Sequence, residues 1–77
     1  MTEQAYVKKE LEAQLEKVKQ RLQILDMIEE RLLQMRELVQ KVVDEDLTEE
    51  ELQKINQQVK YMEEQVRLLD SESTSLS

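Results

Sequence analysis

Val42-Val43-Asp44-Glu45-Asp46-Leu47-Thr48-Glu49-Glu50-Glu51-Leu52, residues 42–52 of a 77-residue chain, is the stretch on which the fold turns. Asp44, Glu45 and Asp46 place negative charge where a helix C-terminus disfavours it. Thr48 then reads as an N-cap. Glu51, three residues on, completes a capping box, and Leu47 packs on Leu52 as a hydrophobic staple. The glutamates at 49, 50 and 51 suit the positive end of a new helix dipole. The expectation is a turn over residues 45–47 between helices spanning residues 3–44 and 48–70. The rival reading is one unbroken helix through the acidic stretch, because no glycine marks the stop.

On the N-terminal side, apolar residues recur every three or four positions from Tyr6 onward: Leu11, Leu15, Val18, Leu22, Leu25, Ile28, Leu32, Met35, Val39 and Val42. That is a helical stripe. Two successive steps of three around Leu25 break the heptad phase, an irregularity that overwinds a coiled coil locally. Ile24, Leu33, Leu38 and Val43 lie beside the stripe and widen it. On the C-terminal side Leu52, Ile55, Val59, Met62, Val66 and Leu69 alternate steps of three and four without interruption. Glu50 with Lys54, and Glu63 with Arg67, are spaced as favourable pairs along that helix. Residues 71–77, Ser-Glu-Ser-Thr-Ser-Leu-Ser, show no periodicity and read as a disordered tail.

Composition agrees with an all-α chain. There is no Gly, Pro or Cys, so turn residues for a sheet, a disulfide framework and thiolate metal sites are all missing. A single domain, residues 1–70, is the natural division at this length. The net charge of −7, from 11 basic and 18 acidic side chains, repels phosphate backbones and anionic headgroups, which argues against nucleic acid and membrane as partners. No apolar run approaches the roughly 20 residues of a membrane span, and residues 1–10 carry no signal-peptide core. The cytoplasm is the default location.

Chemistry is poorly supplied. His and Cys are absent, and the hydroxyls outside the tail, on Thr2, Tyr6, Thr48 and Tyr61, are not spaced with a base. The expectation is no enzyme, no cofactor, no metal and no small-molecule substrate. The acidic run 44–51 lacks the glycine and the terminal glutamate of a calcium loop, and reads as a solvated turn. Met35 and Met62, at helical spacing, read as core filler.

A short connection makes the two helices antiparallel, so the second covers only the distal half of the first. Ile28, Leu32, Met35, Val39, Val42, Leu52, Ile55, Val59, Met62, Val66 and Leu69 form the expected hairpin core. Leu11, Leu15, Val18, Leu22 and Leu25 form the expected interaction stripe, because exposing such residues forfeits about 1.5 to 3 kcal/mol each. The fold class is therefore a long helix plus a shorter antiparallel helix, a helical hairpin or coiled coil, pairing into a four-helix-bundle homodimer. A helix of a different protein is the other candidate cover. Lys8, Lys9, Lys17, Lys19 and Arg21 make the first third the most basic, which suits register selection between antiparallel chains.

Leu25, Ile28, Leu32, Met35, Arg36, Glu37 and Leu38, followed by Ile55, Val59, Met62, Val66 and Leu69, resemble the N-terminal helical region of bacterial flagellin. There a helix with a Met/Val-Arg-Glu-Leu motif precedes a second helix of similar apolar spacing. The likeness covers residues 25–69. It departs at residues 42–47, where flagellin has a Gly/Asn/Ser-rich connection, and at residues 71–77, where flagellin has Phe-Asn-Gly. Gln34 stands where an arginine is frequent, so receptor recognition is not carried over. The resemblance implies a flagellin-like fragment, or a mimic that engages flagellar export or assembly factors. Two functions are in view: a non-enzymatic module that assembles through its own apolar stripe, and a small acidic adaptor, regulator or export chaperone that binds a client helix.

Overall fold

Both helices begin on a threonine. In the computed structural model, which describes residues 2–76, α1 spans Glu3–Asp44 and α2 spans Glu49–Ser75. Thr2 is extended and its hydroxyl oxygen accepts from the Ala5 amide at 3.3 Å. Thr48 repeats the device, accepting from the Glu51 amide at 3.2 Å. The Thr48 hydroxyl also donates to the Glu51 carboxylate at 3.2 Å. The carboxylate thus closes the box on the hydroxyl, a variant of the reciprocal arrangement in which it accepts from the cap amide.

The exit from α1 explains why no glycine is needed. Glu45 donates its amide to the Lys41 carbonyl at 3.0 Å, and the backbone then turns extended, with φ −111° and ψ 148°. A glycine is favoured where the cap enters the left-handed region, and no described residue has a positive φ. Gln40 donates its side-chain amide to both Asp44 carboxylate oxygens at 3.0 Å. The chain is therefore two helices and not one, with residues 45–48 as the link. Leu47 is half-buried and Leu52 exposed.

The helices pack against each other with antiparallel sense. Leu38 and Lys41 stand by Gln58 and Met62. Ile28, Leu32 and Met35 stand by Glu63, Val66 and Asp70, and Gln20, Gln23 and Ile24 stand by Leu69, Glu72 and Leu76. The Cα radius of gyration is 19.6 Å and the long extent 68 Å, against about 11 Å for the radius of a globular domain this size. Two helices alone enclose little. Among the described residues only Ile24 and Ile55 are buried hydrophobics, each 8 % exposed.

The second helix does not stop at Asp70. It runs to Ser75, and most of the expected disordered tail is its last turn and a half; Ser77 lies outside the described residues. Packing accounts for the extension. Thr74 donates its hydroxyl to the Asp70 carbonyl at 2.9 Å and Ser75 to the Glu72 carbonyl at 2.8 Å, which satisfies the hydroxyls but does not itself favour the helix. Ser73, 7 % exposed, and half-buried Leu76 continue the alternation of Leu52 through Leu69 by steps of four and three. The small serine fills a seam position where the expected stripe ended at Leu69.

The seam on α1 also differs from expectation. Leu32 and Val39 are 50 % and 54 % exposed, and Val42 and Leu52 are at the exposed edge of the pair. Buried Ile24 and half-buried Ile28, Arg31, Met35 and Leu38 face α2 instead. Their steps are four, three, four and three, a regular heptad phase. Leu25 is the point beyond which a single reading of the sequence straddles two heptad stripes, taking Ile28 and Met35 from the seam and Leu32 and Val39 from the outer one, about 100° apart around the helix. On α2 the expected core residues Ile55, Val59, Met62, Val66 and Leu69 all lie in the seam.

Candidate helix-docking surface

The second stripe is the candidate site. Leu11, Leu15, Val18, Leu22 and Leu25 are 48 to 58 % exposed. Leu32, Val39 and Val43, all exposed, continue the same alternation of four and three once Glu29 and Arg36 are counted as its two charged positions. Val7 joins at the near end, where Val7, Leu11 and Leu15 share an open apolar groove with Gln4 and Lys8. The surface is thus longer than the five residues expected. It runs the length of α1, from the overhang past α2 to the turn, and only its distal half borders the hairpin seam.

Sequence records where α2 ends. Carried back from Ile24, the seam phase passes Arg21, Lys17, Gln14 and Glu10, residues that no short antiparallel partner covers. The outer phase stays apolar through the same region. The two phases together would have separated the seam from the outer stripe; the single stripe of three- and four-residue steps ran them together.

The flank of the stripe is charged. Glu63, Arg67 and Asp70 of α2 line the groove beside Leu32. Arg67 pairs with Glu64 at 3.8 Å, both side chains well exposed, and not with Glu63 as its spacing suggested; Glu50 and Lys54 form no ion pair among the described residues. Such exposed pairs contribute a few tenths of a kcal/mol. Met27 is exposed beside Leu68, while Met35 and Met62 are half-buried between the helices.

Among the described residues no group of three or more His, Cys, Asp or Glu is placed to hold a metal ion, and no helix is long and apolar enough to cross a membrane. Compared with protein-family models, curated proteins and solved structures, the chain has no significant match in any of the three.

Proposed function

We propose that this protein is a non-enzymatic assembly module that associates with itself through the exposed stripe of α1, two hairpins contributing four helices to a dimer. One observation carries the reading: a line of exposed leucines and valines along a capped helix, interrupted only at Glu29 and Arg36, where monomeric soluble proteins rarely leave more than a few hundred Å² of contiguous apolar surface. The α2 helix is too short to cover it and packs on a different face. The acidic adaptor or export chaperone is the second reading, favoured by the excess of carboxylates beside Leu32, where Glu63 and Asp70 stand with the single cation Arg67, which suits a client helix with basic flanks. A flagellin-like helix is one client the resemblance suggests.

Sedimentation equilibrium on the pure chain separates the two readings. The wild type is expected to dimerise at micromolar concentration, and Leu15→Glu with Leu22→Glu to be monomeric with its helical circular dichroism retained. A wild type that stays monomeric up to hundreds of micromolar overturns self-assembly and leaves the adaptor reading, for which a stoichiometric unlike partner on native purification is the expected result.

A further inference from the structure

The stripe carries its own instructions for how a second copy lies on it. We infer that two copies pair antiparallel along the whole of α1, with the dyad midway between Leu22 and Leu25; the inference rests on the self-assembly reading above. The two charged positions that interrupt the stripe, Glu29 and Arg36, fix the orientation.

In a parallel, in-register pair each stripe residue meets its own copy, as in a parallel coiled coil. Glu29 would then oppose the partner's Glu29 and Arg36 the partner's Arg36, two like-charge contacts inside the apolar seam. Antiparallel pairing about the stated dyad reverses both. Leu22 falls level with the partner's Leu25, and Leu15 with the partner's Leu32. Glu29 falls level with the partner's Val18, which stands between the partner's Lys17 and the partner's Lys19. Arg36 falls level with the partner's Leu11, between the partner's Glu10 and the partner's Glu12. On the flank, Lys19 comes beside the partner's Asp26, twice per dimer by symmetry.

Neighbouring registers fail this comparison. Slipping one heptad in one direction sets Arg36 between the partner's Lys17 and the partner's Lys19 and brings the two Asp26 side chains together. Slipping one heptad the other way sets Glu29 between the partner's Glu10 and the partner's Glu12 and brings the two Lys19 side chains together. Slipping by two leaves the leucines at one end of the stripe uncovered. The stated dyad is also the midpoint of α1, Glu3–Asp44, so this register covers the helix end to end. The stripe residues, each about half-exposed, offer roughly 800 Å² per copy, the size of one side of a standard interface.

The α2 helices fit the same arrangement. Each packs on its own α1 from about Gln20 toward the turn, largely the half that lies beside the partner's overhang, so the two α2 C-termini pass each other near the dyad. Away from the dyad each cross-section then holds two α1 helices and one α2. The partner's Lys17 and the partner's Arg21 arrive level with the residues on either side of Ile28, where the flank carries two carboxylates, Glu63 and Asp70, and one guanidinium, Arg67.

The chain has no cysteine, so a nitroxide on Lys9→Cys, outside the stripe, reads the geometry directly. Electron–electron distance measurement on the full chain is expected to give about 44 Å along the axis between labels at 1.5 Å per residue, and each heptad of slip changes that by about 10 Å. A dimer with labels within about 20 Å of each other is parallel and overturns this inference while leaving self-assembly intact. A distance displaced by a heptad overturns the register. A chain monomeric by sedimentation overturns both. Charge reversal supplies the independent readout: Lys19→Glu is expected to weaken dimerisation roughly three- to tenfold, and Lys19→Glu with Asp26→Lys to restore it. These residues lie seven apart on one exposed face and do not meet within a chain, so absence of rescue counts against the pairing.

Discussion

Thr48 supports two bonds with one hydroxyl, taking the Glu51 amide and giving its proton to the Glu51 carboxylate. Sequence spacing alone identified this pair, because a cap depends on neighbours three residues apart. Replacing Thr48 by Ala should cost about 1 kcal/mol, while Thr48→Asp should be nearly neutral, since aspartate caps equally well. Urea unfolding followed by circular dichroism checks both; equal losses in the two variants would mean that the hydroxyl's role is not capping. Ser73 teaches the opposite lesson. Its hydroxyl and its place in a serine-rich string read as disorder, yet its small side chain lies in the seam. Composition described the segment, whereas the heptad step from Leu69 to Ser73 to Leu76 described its structure.

At the scale of the element, α1 presents two overlapping heptads, and burial tells them apart. Ile24→Ala removes a buried seam residue and should destabilise the hairpin by about 2 kcal/mol, the low end for a core truncation because two helices collapse easily onto the gap. Leu32→Ala should change hairpin stability by less than about 0.5 kcal/mol at dilutions where the chain is monomeric, as surface substitutions do. Thermal unfolding of the two variants side by side is decisive: if Leu32→Ala were the more damaging, the seam would lie where the single-stripe reading put it. Leu32 and Val39 fall outside the seam, and Ile24 and Leu38 within it, because beyond Leu25 steps of three and four take residues from both stripes in turn. Periodicity shows that a face is apolar. It does not say which of two apolar faces meets which neighbour.

For the whole molecule, length is the informative quantity. α1 is about 63 Å long and α2 about 40 Å at 1.5 Å per residue, so the overhang follows from the position of the turn. Pairing along all of α1 adds width and little length. Small-angle scattering of the dimer should therefore give a maximum dimension close to the hairpin's 68 Å. A value approaching twice that would indicate end-to-end contact through the overhangs and count against side-by-side packing.

Sequence by itself determined that the chain is helical, that it breaks after Asp44 and restarts on Thr48, and that α1 outruns its partner. These are local matters: propensity, caps and spacing act within a few residues. The assignment of apolar residues to the seam or to the outer stripe, and the continuation of α2 to Ser75, were decided only by the tertiary structure. Both depend on where one helix rests against another, a contact between residues such as Ile24 and Leu69 that stand far apart in the chain.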